Sequence, residues 1–535
     1  MSTVFHKPKI FSPDHPAYPW IILTNVIVTT FMAILSAVAT IIADNSIQGE
    51  LALSDTRAIW ITTLYLLGVN TTVPTGNWFA NRFGKKRVYS VGVLIFTFGS
   101  GLAGFADQFW VLAVARVIEG IGAGMIFPVG LALIASSFTK EKSPIALILY
   151  IGLAFGGGFG FGCFITGYFT EFVTWRAIFY LIIPFGLLAA FSCWLSRRER
   201  PEKEPVPFDY WGFFFFATFV STLLIGLTFA PLPTTVEGWR SPFIIGCLVT
   251  AAICLVSAII VESRQANPLI PLPLFKDPIF AVSTLAMFLL GMSLFASIGV
   301  TANYMIDALF YEKYIAGKIG MSYGLTMAGC SILSSALMRI LPIPILLFSG
   351  LTMLVVSYFL NGILSWQTGP DQIIPILILR GAGLGFALGP TTVLALHGVP
   401  KELSSQAATL LTFFRQVGGT YAGTIIAIFT IKRKIFYAAR WGEQANEQLP
   451  GYKVTFKKLY DRFSTELSDK GVESVFQAKA EIIKNIEIQA FIQGQTDAMI
   501  IFGYVTAIVG GILLIFVVQR HLRSRKEIPS SLHHQ

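Results

Sequence analysis

The sequence predicts an all-α polytopic membrane protein of fourteen transmembrane helices, arranged as two six-helix halves with an inserted pair between them. Three observations lead there. Of 535 residues, 54% are apolar and only 13% charged, about half the ~25% charge of a soluble domain, and mean hydropathy is +0.68. Apolar runs of about 20 residues, enough to cross the hydrocarbon core, recur along the whole chain. Polar landmarks also repeat at an offset near 260 residues. Disordered, collagen-like and disulfide-framework classes are excluded by the same composition.

In chain order, a cytoplasmic N-terminus (1–17) precedes a first bundle (18–195) with spans near 19–43, 57–79, 88–106, 108–137, 145–170 and 175–195. The inserted pair with its flanking loops (196–278) supplies spans near 210–231 and 242–261. The second bundle (279–519) has spans near 279–306, 315–337, 341–363, 373–398, 405–431 and 498–519, with an outer loop at 432–496. A basic cytoplasmic tail (520–535) closes the chain. Twenty Lys and Arg fall in the segments this scheme puts in the cytoplasm, against five in the short outer segments. That bias sets both termini inside the cell, and the expected location is an inner (cytoplasmic) membrane. Because the net charge of +10 is scattered over short loops, it speaks for topology and against nucleic acid. Cys163, Cys193, Cys247, Cys254 and Cys330 lie in apolar stretches without metal spacing, so packing is their expected role and no metal or cofactor is expected.

The repeat is visible in charged and small residues. Arg82, in the basic turn after the second span, and Arg339, after the tenth, stand 257 residues apart. Arg116 and Arg380, each in a Gly-rich span, stand 264 apart, and Gly156–Gly162 is echoed by Gly418–Gly423. Internal repeats with a site between them are the architecture of secondary transporters.

Charges inside spans carry the chemistry. A charge near the bilayer centre costs about 2.5–3.5 kcal/mol on insertion scales, so Arg116, Glu119, Arg380 and Arg415 are each expected to face protein or water. At ~1.5 Å per residue, Arg116 and Arg380 lie about 12 and 10 Å below the outer surface and Arg415 about 15 Å above the inner one. Arg116 and Glu119, three apart on one helix face, form either a neutralised structural couple or a titratable carboxylate poised by its neighbour. Asp307 is a further proton-coupling candidate. Candidates for the lining of a substrate cavity are Ser36, Thr40, Asn303, Arg380, Arg415 and Gln416. Gly120, Gly124, Gly156, Gly160, Gly419 and Gly423 form small-residue ridges for close helix packing. The turn Arg82, Gly84, Lys85, Lys86, Arg87 is a topology anchor or a gating loop. No GxxxxGK[ST] loop occurs, so an ion gradient is the expected energy source.

These motifs, taken together, resemble the major facilitator superfamily, in particular its fourteen-helix drug–proton antiporters of the EmrB/QacA type, over about residues 20–520. RVIEGIGAG (Arg116 to Gly124) is similar to that family's fourth-helix motif, and NRFGKKR (Asn81 to Arg87) to its signature loop after the second helix. WRAIFYLIIPFG (Trp175 to Gly186) resembles the start of the sixth helix, and SSQAATLLTFFRQVGGTYAG (Ser404 to Gly423) is the most specific match, to the thirteenth. The departures are informative. Asn81 stands where the family usually has Asp, Ser36 where a membrane-embedded Asp is common in the first helix, and Glu119 where a Gln follows the fourth-helix Arg. GCFITG replaces the fifth-helix Gly-Pro-x-x-Gly-Gly, and the loop motif's first Gly is displaced to Gly76. The resemblance implies a major facilitator fold and proton-coupled efflux of small amphiphilic organic compounds, with the coupling carboxylate moved from helix one to Glu119. It also implies a periplasmic adaptor (membrane fusion) protein as partner of the outer loop, against the alternative of a self-packed cap. A dedicated metabolite or siderophore exporter, or an uncoupled facilitator, is the alternative function. An enzyme or assembly factor has less support, because no reactive constellation lies at membrane depth.

Overall fold

The computed structural model describes residues 15–139, 141–195, 207–230, 238–265, 268–400, 403–444, 450–466 and 472–526. Residues 1–14 of the expected N-terminus and 527–535 of the basic tail lie outside the described residues. All regular structure among the described residues is helical, as a bilayer requires of any chain that cannot close a barrel.

Among the described residues, fourteen long helices make up the two halves and the inserted pair. In the first half they are α1 (Tyr18–Ile42), α2 (Asp55–Thr72, a tight turn Val73–Thr75, then Gly76–Phe83), α3 (Lys85–Gly104), α4 (Phe109–Ser137), α5 (Ser143–Phe172) and α6 (Arg176–Leu195). The inserted pair is α7 (Tyr210–Phe229) and α8 (Pro242–Arg264). The second half holds α9 (Pro278–Ala308), α10 (Lys313–Leu337), α11 (Ile343–Ile363), α12 (Pro370–Leu396), α13 (Ser404–Gln444) and α14 (Val472–Lys526). Eleven of them are long and apolar enough to cross a membrane by length and composition. The other three are α2, α10 and α13, each of which meets the opposite half.

Each half repeats one packing scheme. In the first, α3 packs on α4 and α6, α2 on α4, and α1 on α4, α5 and α6. In the second, α11 packs on α12 and α14, α10 on α12, and α9 on α12, α13 and α14. The halves meet along two lines, α5 against α10 and α2 against α13, while α7 touches α2 and α13 from outside and carries α8 with it. On α8, Val249, Ile253, Val256 and Ile260 are exposed, as a lipid-facing surface requires.

The α5–α10 line is a small-residue ridge. A Cβ on Gly324 would lie 2.1 Å from the Gly160 nitrogen and 2.4 Å from the Gly156 carbonyl oxygen. Gly152 and Gly156 abut Ser331 and Ala328 in the same way. The backbones therefore approach as closely as small-xxx-small packing allows. Gly120 and Gly124 do the same against Tyr65 and Val69 of α2, and Gly419 against Phe295 of α9. Gly423 is a correction to the expected ridge: nothing lies within 4 Å of its Cβ position.

The outer segment 432–496, expected as a loop, is largely helical among the described residues. α13 runs on to Gln444 and α14 already starts at Val472, so most of 432–496 is a pair of continuous extensions, with a further helix at Pro450–Glu466. Arg433 Nη2 to Asp497 Oδ2 at 2.5 Å and Lys434 Nζ to Glu487 Oε2 at 3.4 Å clamp the two extensions together. Asp497, which position alone would make a solvated end cap, is thus an inter-helix anchor.

Candidate functional site

The first half encloses a polar knot. Arg116 and Glu119 on α4 and Ser36 on α1 are each fully buried. Arg116 Nη1 donates to Glu119 Oε2 at 2.5 Å and to Ser36 Oγ at 2.6 Å. Ser36 Oγ in turn donates to Glu119 Oε1 at 2.7 Å. The guanidinium reaches Thr40 Oγ1 at 3.5 Å and the Ile61 carbonyl at 3.4 Å, and its carbon sits 4.2 Å above the Tyr65 ring. Ser36 therefore touches both charged groups and ties α1 to α4. A charge pair this deep is tolerable because each charge is paired and hydrogen-bonded.

The second half has the mirror position without the pair. Arg380 on α12 is fully buried. Its Nε donates to Ser357 Oγ at 3.4 Å and Nη2 to the Ser357 carbonyl at 3.3 Å, with the Tyr358 ring 4.9 Å away. No acidic partner of Arg380 occurs among the described residues. The glycine contacts fix the register between halves. Gly120 and Gly381 both press on the carbonyl of a tyrosine, Tyr65 and Tyr323. Those tyrosines in turn donate to carbonyls on α1 and α9, Ala33 at 2.8 Å and Leu294 at 3.3 Å. Gly122 and Gly383, and Gly124 and Gly385, continue the match. The offset on these helices is 261, so Arg380 answers Glu119 and not Arg116, correcting the 264-residue pairing suggested by like charges.

Between the halves lies a third cluster. Arg415 of α13 is 2% exposed and places its guanidinium carbon 4.2 Å above the Phe155 ring of α5. Beside it the Tyr150 hydroxyl of α5 meets Thr30 of α1 at 3.2 Å. Farther along the seam, Asn70 of α2 donates to Thr420 of α13 at 2.8 Å, and Ser405 donates to Asn77 at 2.5 Å. Arg415 Nε and Nη2, Gln416 Oε1 and Asn70 Oδ1 are buried without a hydrogen-bond partner.

The residues expected to line one cavity thus separate. Ser36 and Thr40 belong to the knot inside the first half. Arg380 belongs inside the second, where a narrow cavity among Tyr304, Asn361, Gln495 and Thr496 reaches it. Only Arg415 and Gln416 reach the seam. All three arginines are buried among protein side chains, the protein-facing one of the two environments expected of them. Asn303 and Asp307 are a further correction: both are exposed at the outer end of α9, away from the buried clusters. In the turn after α2, Gly84 takes φ +91°, which favours glycine. Lys86 is buried with Nζ 4.9 Å above the Tyr18 ring, whereas Arg82 and Arg87 are exposed and Lys85 half-buried.

Sequence patterns did not single out Asn70 or Tyr150, although an amide inside a span was the available signal. They also passed over Asp209 and Glu262, two buried acids at the ends of α7 and α8. Asp209 caps α7 by accepting from Gly212 N at 2.9 Å, and Glu262 accepts from Ile270 N at 3.1 Å.

The Major Facilitator Superfamily model matches residues 23–215 and 209–423. The chain belongs to the major facilitator superfamily. It is 26% identical to the multidrug transporter protein MdtP of Bacillus subtilis, over 76% of this chain and 74% of that one. The puromycin resistance protein pur8 of Streptomyces alboniger is 27% identical over 79% and 84%. The multidrug export protein EmrB of Haemophilus influenzae is 24% identical over 88% and 90%. Among solved structures, a POT family transporter in complex with 5-aminolevulinic acid superposes with TM-score 0.57 at 14% identity, covering 94% of this chain and 96% of that one. That likeness supports the two-half fold.

Proposed function

We propose that this membrane protein exports small amphiphilic organic compounds in exchange for protons, and that Glu119 carries the proton. The observation that bears the reading is the Ser36–Glu119 hydrogen bond at 2.7 Å. Ser36 occupies the position where relatives of this type commonly place a carboxylate, and Glu119 delivers one to the same spot from the neighbouring helix. Protonating Glu119 removes its charge from Arg116 and converts an acceptor oxygen into a donor. The Ser36 bridge between α1 and α4 then has to rearrange. Since α1 packs on α5, which forms the tight line to α10, that rearrangement reaches the seam. The neighbours named as multidrug transporters support export of organic compounds as the task.

Within this proposal the protein sits in an inner (cytoplasmic) membrane with both termini inside, and the paired extensions of α13 and α14 offer the surface for a periplasmic adaptor. In everted vesicles carrying a fluorescent pH-gradient dye, adding an exported compound should collapse part of an imposed gradient. The effect should be absent from vesicles without the protein. Compound movement with no proton movement would favour the uncoupled facilitator instead.

A further inference from the structure

Of the three arginines in the membrane, two engage both Nε and Nη2, while Arg415 bonds the Tyr150 hydroxyl and leaves that edge unpartnered. Arg116 is ion-paired and Arg380 holds Ser357 through Nε and Nη2. Arg415 leaves those same two nitrogens without a partner, although the residue is 98% buried. Nε and Nη2 form the edge of a guanidinium that presents two parallel N–H bonds, the fork that matches a carboxylate. No acid among the described residues pairs with it. An uncompensated buried charge is strongly unfavourable, and here it stands where the two halves meet, stacked on Phe155 across the seam.

We propose that the Nε–Nη2 edge of Arg415 is the recognition point for a planar oxyanion on the exported compound, so that the cargo class is monoanionic aromatic amphiphiles with a carboxylate. This inference rests on the exporter reading above. The carboxylate closes the fork and neutralises the guanidinium. The apolar body of the cargo meets the aromatic wall in which Phe155 stacks on Phe127, with ring centroids 6.1 Å apart. Gln416 and Asn70 supply amides that turn toward a hydroxyl or amide elsewhere on the cargo. Loading therefore favours opening of the seam only for a ligand that carries the anion, because a neutral isostere leaves the charge unanswered.

The test uses full-length protein in lipid nanodiscs and proteoliposomes, with naphthoate and naphthamide as shape-matched probes. Naphthoate should bind about 10- to 100-fold more tightly than the amide, the range expected of a charge-assisted pair. Arg415→Gln should abolish that preference, and Arg415→Lys should keep only part of it, since an ammonium has no fork. Equal binding of acid and amide, or an unchanged preference in Arg415→Gln, overturns the inference. If Arg415→Gln does not fold, the wild-type acid–amide comparison and the Lys variant still decide. Export of the cationic dye ethidium with naphthoate ignored overturns this inference alone. Naphthoate binding in nanodiscs without movement of any probe or proton supports the site and overturns the exporter reading.

Discussion

The two halves fold alike but treat their buried charge differently. At matching positions on matching helices, the first half places Glu119 and the second Arg380. Glu119 has a counter-charge one turn away and a hydroxyl bridge to α1; Arg380 has only Ser357 and the Tyr358 face. Duplicated packing thus preserves where a polar group is tolerated without preserving which charge occupies it. One half becomes a neutralised unit that a proton can unbalance. The other holds a cation with no acidic partner among the described residues.

This contrast can be broken most severely by removing the carboxylate outright. Glu119→Leu strands Arg116 in the core and should cost about 3–5 kcal/mol, the usual penalty for half of a buried pair. Arg380→Met, which removes a charge with no acidic partner, should be neutral or stabilising. Thermal unfolding of both variants in detergent checks the opposite signs; equal losses would mean that the halves do not differ in this way.

The next largest effect concerns the seam. Gly324→Ala forces a methyl group against the Gly160 backbone and should destabilise by about 1–3 kcal/mol, with a fall in transport rate. Gly423→Ala, with open space around it, should change neither. Stability and initial transport rates of the pair measure how far the α5–α10 line controls movement.

Moving the carboxylate to the first helix sharpens the comparison. Ser36→Asp combined with Glu119→Gln places the carboxylate on α1 beside the same guanidinium, and should recover most of the proton movement that Glu119→Gln alone loses. Proton uptake by vesicles reconstituted with each variant supplies the comparison.

The smallest effect lies in the matched tyrosines. Tyr65→Phe and Tyr323→Phe each remove one buried hydrogen bond, worth about 1 kcal/mol. The loss should be larger at Tyr65, which also backs Arg116 at 4.2 Å. Unfolding midpoints of the two variants test the order.

Much of this was legible in the sequence. The fourteen spans read from the sequence each fall on a long helix among the described residues, and eleven of those helices are long and apolar enough to cross lipid. The Arg116–Glu119 pairing followed from helical spacing, and the replacement of a first-helix carboxylate by Ser36 singled out its eventual partner. The register of the repeat was not legible. Like charges drew Arg116 to Arg380, whereas the backbone contacts of Gly120 and Gly381 depend on helix approach and leave no mark on charge patterns. Depth alone also could not separate the seam from the cores of the halves. By sequence position Arg116, Arg380 and Arg415 all approach the midplane, yet which neighbour each faces is set by helix rotation. Asn303 and Asp307 became candidates because they stand at the outer end of an apolar run, where sequence alone does not separate a cavity rim from solvent.

The central claim, that Glu119 carries the coupled proton, is tested most directly by pairing two assays on Glu119→Gln protein in proteoliposomes. One follows proton flux through an entrapped pH dye when an exported compound is added under a pH gradient; the other follows compound-for-compound exchange without a gradient. Loss of the proton signal with exchange retained is the expected result. A proton signal equal to that of the wild-type protein would contradict the account.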